Sequence, residues 1–102
     1  MQNGMNENGV ETMVYELKRE IPVEDGYDVI VAGGGPSGCA AAVSAARLGA
    51  RVLLAEALGC LGGAGTSGLV TNMSGLGRKG TMLVGGFVLE LAEKLRERGF
   101  LT

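Results

Sequence analysis

Long, nearly uncharged apolar runs alternate with glycine-rich breaks along the chain, and the runs in its middle predict three elements. Residues 27–32 (YDVIVA) form a β-branched apolar run that ends in glycines, which predicts a buried parallel strand. Residues 36–48 are rich in alanine and are followed by Gly49, so they predict a helix with a C-cap glycine. Residues 51–55 (RVLLA) predict a second buried strand. Strand, helix and strand together make a βαβ unit of about 30 residues, the usual size of that motif.

The segment before this unit is polar at first and then amphipathic. Residues 1–12 are rich in Asn, Gln, Gly and Glu and are expected to fray. Residues 13–25 place apolar side chains at alternate positions, which favours an edge strand or an extended arm over a helix, and Pro22 is compatible with an edge. The face that these positions share consists of Tyr15, Leu17, Arg19, Ile21 and Val23. We predict a polar tail and extended arm over residues 1–26 and a domain over residues 27–102.

The segment after the unit begins with a glycine-rich stretch and ends in a second helix. Residues 57–80 contain so many glycines that the pattern assigns them no regular element. Residues 81–98 predict a helix, with a later start at the glycine pair 85–86 as the alternative, because glycine weakens a helix. Its apolar stripe is formed by Phe87, Leu91 and Leu95. Glu90 and Lys94 are spaced and ordered for an ion pair on the helix surface.

Composition is that of one small domain with an unusual amount of glycine. The chain has 102 residues, of which 46% are hydrophobic and 20% charged, so it is neither disordered by composition nor fibrous. It contains 19 glycines, well above the average share of roughly 7%, and their clustering after residue 32 indicates backbone geometry needed at one place. A formal net charge of −2 and a pI near 5.1 argue against a nucleic-acid partner.

Several kinds of site are excluded by residues that the chain lacks. There is no histidine, which removes histidine metal ligands, histidine acid–base catalysis and a Ser–His or Cys–His nucleophile pair. The two cysteines, Cys39 and Cys60, cannot make a four-thiolate zinc or iron–sulfur site, so no metal site is expected. No signal peptide or membrane span is visible, which makes a reducing cytoplasm the expected compartment and a membrane partner unexpected.

The first glycine cluster has the spacing of a dinucleotide-binding turn. Gly33, Gly35 and Gly38 form G-x-G-x-x-G between a predicted strand and a predicted helix, the context that this motif requires. Gly33 permits the tight turn, Gly35 lets a pyrophosphate approach the backbone, and Gly38 lets helix and strand pack closely. The N–H groups of the first helical turn and the helix dipole favour the diphosphate charge. An ordinary strand-to-helix loop is the alternative.

An acidic residue follows the second predicted strand at the distance expected of a ribose ligand. Glu56 comes 18 residues after Gly38, and its carboxylate is predicted to accept hydrogen bonds from the adenosine ribose hydroxyls. A carboxylate at this position disfavours a 2′-phosphate, so NADP is not expected. A solvated carboxylate that merely follows a strand is the alternative. The turn itself is compatible with both NAD and FAD.

A second glycine cluster, residues 59–68, bears on which dinucleotide is bound. An NAD domain usually continues with its next crossover helix at this point, whereas a loop of small residues suggests that a larger ligand passes beside it. Gly62 and Gly63 would let the backbone approach the cofactor, and the hydroxyl of Thr66 or Ser67 could donate to phosphate oxygens. A flexible surface loop is the alternative.

Residues 27–38, Glu56 and the pattern G-x-x-G-G over residues 59–63 resemble the N-terminus of an FAD-dependent oxidoreductase of the glutathione-reductase-like two-dinucleotide-binding superfamily. Residues 61–70 and the glycine pair 85–86 resemble a bacterial subgroup related to the flavin subunit of heterodisulfide reductase. The resemblance implies an α/β fold, namely a Rossmann-like FAD-binding βαβ unit with parallel strands, an incomplete sheet and a C-terminal helix.

The same resemblance implies FAD as cofactor and a set of residues that hold it. This set comprises Gly33, Gly35, Pro36, Ser37, Gly38, Glu56, Gly62 and Gly63. Residues 27–102 would be the N-terminal part of the FAD-binding domain, and further strands and a substrate domain would lie outside these residues.

The implied function is redox chemistry at a bound flavin, whose N5 would accept a hydride from an unknown small-molecule substrate. The chain would hold the ADP half of FAD, and no catalytic residue is identified. The alternatives are a truncated nucleotide-binding chain without turnover, a small subunit completed by a partner chain or by a second copy, and a segment of an NAD-dependent dehydrogenase. An iron–sulfur cluster, which some relatives hold, would need thiolates from other regions.

Overall fold

The computed structural model describes residues 2–100, which form a mixed α/β arrangement of short strands and two helices. The strands are β1 (Gln2–Met5), β2 (Glu11–Val14), β3 (Val29–Ala32), β4 (Val52–Ala55), β5 (Gly77–Arg78) and β6 (Thr81–Met82). The helices are α1 (Pro36–Arg47) and α2 (Gly86–Glu97), and a 3-10 turn covers Gly63–Gly65. Neither helix in this part of the chain is long and apolar enough to cross a membrane.

The predicted βαβ unit is confirmed. β3 and β4 run parallel, with Val29 opposite Val52 and Ala32 opposite Ala55. α1 lies between them in sequence and packs against both strands. The three sheets that the described residues form, β1–β2, β3–β4 and β5–β6, have two strands each. The architecture is therefore a partial Rossmann-like unit with an incomplete parallel sheet.

α1 ends at Arg47, one residue before the predicted end, and is followed by the C-cap glycine that the sequence indicates. Gly49 has φ +91°, a conformation that glycine adopts without strain, and its N–H donates to the carbonyl of Ala46. The N–H of Ala50 donates to the carbonyl of Ala45, which completes a Schellman motif. Arg47 lies in the last turn, where the helix dipole favours a cation.

The prediction that both strands are buried is wrong for one face of the sheet. Side chains along β3 alternate between half-buried and exposed, and Ile30 is 66% exposed. α1 covers the face that carries Val31, whose Cγ1 lies beside Gly38 in the first turn of the helix. No element among residues 2–100 packs on the opposite face. A strand in the middle of a sheet covered on both sides would be buried, and β3 has such cover on one side only.

The N-terminal residues form a hairpin, which corrects the expectation that they fray. β1 and β2 pair antiparallel. In the turn between them the side-chain oxygen of Asn6 accepts hydrogen bonds from the N–H groups of Asn8 and Val10, each at 3.0 Å. Asn8 is followed by Gly9 at φ +72°, and Asn-Gly is a common hairpin dipeptide that identifies this turn in the sequence. Residues 15–27 have no regular secondary structure.

The last helix begins at the later of its two predicted starts, the glycine pair 85–86. Residues 81–82 belong to β6, which pairs with β5 across a tight turn whose two central residues, 79 and 80, both have positive φ. This conformation is the one that two-residue hairpins favour. α2 begins at Gly86, with Gly85 as an extended N-cap residue, so the glycine pair separates the hairpin from the helix.

Glu90 of α2 binds a residue of α1, whereas its predicted partner was Lys94. Both terminal nitrogens of Arg47 donate to the Glu90 carboxylate, at 2.8 and 3.0 Å. The hydrogen bond from Arg47 lowers the pKa of Glu90, and Lys94 contributes only a weaker charge effect. The ion pair connects the C-terminal end of α1 to α2.

Candidate functional site

The turn between β3 and α1 has the geometry that its glycines predict. The N–H of Gly33 donates to the carbonyl of Ala55 at 2.8 Å, so the ladder between β3 and β4 continues into the turn. Gly33 has φ +103°, which residues with side chains rarely adopt. A Cβ atom on Gly38 would overlap with the carbonyl oxygen of Gly33. The first turn of α1 therefore lies closer to the end of β3 than any residue but glycine allows.

The N-terminus of α1 is open. Gly35 is its extended N-cap residue, and a Cβ atom there would meet no atom within 4 Å. Pro36 has no N–H, and within residues 2–100 the N–H groups of Gly35, Ser37 and Gly38 have no hydrogen-bond acceptor. The first turn of α1 contains no acidic side chain. Free amide donors at the positive end of the helix dipole suit an anion such as a phosphate.

Glu56 follows β4, and its carboxylate lies beside the same turn. One oxygen accepts the N–H of Gly34 at 2.6 Å, and the other accepts the N–H of Leu58 at 2.8 Å. The bond from Leu58 and then that from Gly34 lower the pKa of Glu56 by stabilising its ionised form. Each carboxylate oxygen can accept a second hydrogen bond, so Glu56 keeps capacity for further donors.

The second glycine cluster packs directly on the first. The N–H of Gly62 donates to the carbonyl of Gly34 at 2.8 Å, and Gly62 has φ +108°. A Cβ atom on Gly63 would lie 3.0 Å from the Cα atom of Gly35. Both glycines thus have a steric reason to lack a side chain, and a main-chain hydrogen bond holds their loop at the N-terminus of α1.

The two hydroxyl groups predicted as phosphate donors bind the backbone of their own loop. Thr66 Oγ1 donates to the carbonyl of Leu61 at 2.7 Å, and Ser67 Oγ donates to the carbonyl of Gly63 at 3.0 Å. Each hydroxyl has a single proton, so donation to a phosphate requires it to rotate away from its carbonyl. The predicted phosphate contact of Thr66 therefore competes with its hydrogen bond to the Leu61 carbonyl.

Gly34 belongs to the site although the G-x-G-x-x-G motif assigns it no role. The residue is buried. A Cβ atom on it would lie 3.0 Å from an oxygen of Glu56 and would overlap with the side chain of Leu61. The signal in the sequence is a glycine between Gly33 and Gly35, at a position where the motif accepts any residue.

Each cysteine lies at one of the two glycine clusters, and both are free thiols. Cys39 is half-buried in the first turn of α1, and its Sγ atom lies 3.1 Å from the carbonyl oxygen of Gly34. Cys60 is exposed, and its Sγ atom lies 3.8 Å from Thr66 Oγ1. The thiol of Cys39 therefore contacts the backbone of the dinucleotide-type turn itself.

Comparison with known proteins gives a family match and a similar curated protein. A family model described as FAD dependent oxidoreductase matches residues 28–101. The chain is 48% identical over 47 residues to a dihydrolipoyl dehydrogenase of Trypanosoma brucei brucei. That similarity covers 46% of this chain and 10% of the relative, so the chain spans a small part of the relative's length. No solved structure matches the chain.

Proposed function

The chain belongs to the family of FAD dependent oxidoreductases, and we propose that it holds the adenosine diphosphate half of FAD at the N-terminus of α1. The observation that carries this proposal is the set of free main-chain donors there, the N–H groups of Gly35, Ser37 and Gly38. A diphosphate that leaves water needs such donors, because its charge must be balanced by oriented N–H groups and the helix dipole.

The steric properties of the turn support a diphosphate at this place. Space is free at Gly35, where the motif requires close approach of the ligand, and is filled at Gly38, where it requires close packing of helix on strand. The two glycines are therefore distinguishable by experiment, because a methyl group at Gly35 would oppose the ligand and one at Gly38 would oppose the fold.

Glu56 supports the adenosine part of the proposal. Its carboxylate adjoins the turn through Gly34, and the two hydrogen bonds that lower its pKa stabilise the ionised form, which an ordinary glutamate already has at neutral pH. The lone pairs that Gly34 and Leu58 leave free can accept hydrogen bonds from two ribose hydroxyls. The same negative charge would repel a 2′-phosphate.

The second glycine cluster supports a ligand that extends beyond the adenosine. Gly62 and Gly63 lie on the Gly34–Gly35 segment and would form a wall beside the diphosphate. Thr66 and Ser67 of the same loop would add donors if their hydroxyls rotate toward the phosphate oxygens.

FAD, when bound, supplies the redox chemistry of this family by accepting a hydride at its flavin ring. The residues described above bind and orient its nucleotide half. The similarity to a dihydrolipoyl dehydrogenase is consistent with an oxidoreductase role, and because it covers 10% of that protein it identifies no substrate for this chain. The full oxidoreductase reaction, on a small-molecule substrate, is part of the proposal.

Binding of FAD can be tested with one substitution and a matched control. Gly35→Ala adds a methyl group to the open N-cap of α1, and we expect the affinity for FAD to fall about 10- to 100-fold, the loss of one or two hydrogen bonds to a charged group. Gly85→Ala is the control, because Gly85 is the extended N-cap of α2 and a Cβ atom there also meets no atom within 4 Å. The control should bind FAD as the unsubstituted chain does, as measured by quenching of flavin fluorescence.

Two results would contradict the proposal. Equal affinity of both variants and the unsubstituted chain would show that the diphosphate does not lie at Gly35. Failure of the unsubstituted chain to bind FAD, while NAD protects it against heat, would assign the turn to NAD instead.

A further inference from the structure

The peptide group that joins Gly34 to Gly35 is held on its carbonyl side. Two donors reach the carbonyl oxygen of Gly34, the N–H of Gly62 at 2.8 Å and the thiol of Cys39 at 3.1 Å. Gly34 is buried, so this carbonyl would lose its hydration without such partners. The backbone N–H of Cys39 also donates to the carbonyl of Gly35 at 2.9 Å, which places its side chain directly beside the turn.

The orientation of this carbonyl determines the orientation of a ligand donor. In a trans peptide the C=O and the N–H point in opposite directions, and the described chain contains no cis peptide bond. The N–H of the Gly34–Gly35 peptide belongs to Gly35. Because the carbonyl points inward to Cys39 and Gly62, the Gly35 N–H points away from them, toward the side where the chain offers it no acceptor.

The neighbouring peptide is held in a complementary way. The Gly33–Gly34 peptide donates its N–H to Glu56, and its carbonyl oxygen lies against Gly38. Both peptide planes of the turn are therefore held by groups from three parts of the chain. Of the two donors to the Gly34 carbonyl, Gly62 uses its main-chain N–H and Cys39 uses its side-chain thiol. A substitution can therefore remove the contact of Cys39.

We propose that Cys39 is a positioning residue for cofactor binding, whose thiol keeps the Gly34–Gly35 peptide oriented so that the Gly35 N–H faces the diphosphate. This inference rests on the proposed function for its ligand. The Gly34–Gly35 peptide has this orientation in the ligand-free chain, so it can be measured separately from FAD binding.

Three variants separate hydrogen bonding from packing. Cys39→Val removes the donor and keeps a side chain of similar size, whereas Cys39→Ser keeps a donor. We expect the Val variant to bind FAD and ADP about threefold more weakly, the Ser variant to bind both as the unsubstituted chain does, and adenosine affinity to be unchanged in each. Cys60→Val is the control, because the Cys60 thiol is exposed and its hydrogen-bond partner among residues 2–100 is Thr66 Oγ1, not a residue of the turn.

The ADP and adenosine comparison makes the test specific. A loss confined to ligands with phosphates, restored by Ser, is the result that a purely structural role of Cys39 would not produce. If the Val variant binds ADP as tightly as the unsubstituted chain does, the inference is overturned. So would a parallel loss of ADP and adenosine affinity, or a Ser variant that behaves like Val.

Hydrogen exchange of the Gly62 amide in the ligand-free chain provides a readout that needs no FAD. If the peptide turns, Gly62 loses its acceptor, so exchange should be faster in the Val variant and unchanged in the Ser variant. Should the unsubstituted chain fail to bind FAD while this exchange pattern appears, the proposed function fails and the positioning role of Cys39 stands. Unchanged Gly62 exchange in the Val variant would overturn the positioning role.

Discussion

Glu56 connects the end of β4 to the first glycine cluster through main-chain donors. Its two oxygens accept from Gly34 and Leu58, so a carboxylate with acceptors on both sides is required. A glutamine has one acceptor oxygen, and its amide nitrogen would face one of these N–H groups as a second donor. The residue therefore contributes to the shape of the turn as well as to the proposed ribose contact.

We expect the Glu56 carboxyl to titrate below the ordinary glutamate pKa of about 4.3, because both hydrogen bonds favour its ionised form. Since the pKa is lower in the folded chain, the resulting stabilisation is complete above the ordinary pKa and is lost as the pH falls through the folded value. The amide proton resonances of Gly34 and Leu58, followed by NMR against pH, should change together with a midpoint below the ordinary value.

Two variants, each of which removes one negative charge, test this titration. Glu56→Gln is the test variant and Glu93→Gln is the control. Glu56→Gln should abolish the pH-dependent change at Gly34 and lower the midpoint of thermal unfolding at pH 7. Glu93→Gln, at an exposed position of α2, should leave the Gly34 titration in place. A midpoint at or above the ordinary glutamate pKa would contradict the expected role of Glu56.

The two helices are joined at the end of α1 that lies away from the glycine-rich turn. Arg47 and Glu90 form a two-pronged ion pair, a geometry that suits the planar guanidinium group. Their side chains are 58% and 38% exposed, so solvent screens the pair and its contribution is modest. Its role is to hold α2 on α1, the helix whose other end carries the proposed diphosphate site.

A double-mutant cycle should detect coupling between Arg47 and Glu90. We expect Arg47→Ala and Glu90→Ala each to lower the midpoint of thermal unfolding, and the double variant to lower it by less than the sum. The coupling should shrink in 1 M NaCl, where the Debye length falls to about 3 Å.

Lys18 and Glu16 provide the matched comparison for this cycle. Their charged atoms are 3.9 Å apart and their side chains are 88% and 80% exposed, so the same cycle at this pair should show no coupling. Additive effects at Arg47 and Glu90 would mean that the ion pair does not hold the helices together in solution.

The molecule as a whole is extended and exposes much of its apolar surface. Its radius of gyration is 21.8 Å, against about 13 Å for a compact chain of this length. Among residues 3–100 the buried hydrophobic side chains are Ala42 and Ala92 alone. In the part of the chain that the structure describes, the sheet β3–β4 has both edges unpaired and one face uncovered, with Ile30 at its centre. Surfaces of this kind favour association.

We expect the isolated chain to associate through the uncovered sheet face. Its sedimentation coefficient should rise with protein concentration, and Ile30→Lys should suppress the rise by placing a charge on that face. Val10→Lys is the control, because Val10 is 57% exposed on the separate N-terminal hairpin. A single species at all concentrations, or equal suppression by both variants, would show that this face does not drive association.

The elements around the site were predictable because their signals are local. The run into β3, the alanine-rich helix and the glycine after it are each encoded within a few residues, and the structure confirms β3, α1 and β4 with ends shifted by one or two positions. The sequence does not predict the N-terminal hairpin, because the amphipathic arm and the polar composition outweigh the Asn8-Gly9 signal. The helix predicted over residues 81–98 begins later in the structure, at Gly86, because a short hairpin precedes its two glycines.

What the sequence determined by itself is the order of strand, turn, helix and strand, together with the types of residue that a dinucleotide-binding turn needs, since backbone conformation and periodicity are properties of neighbouring residues. Tertiary structure alone decided that Gly34 donates to Glu56 and accepts from Gly62, and that Arg47 pairs with Glu90 across 43 residues. Such contacts depend on how distant segments approach in space. The exposure of Ile30 has the same origin, because an apolar run predicts burial, and burial requires another element to cover it.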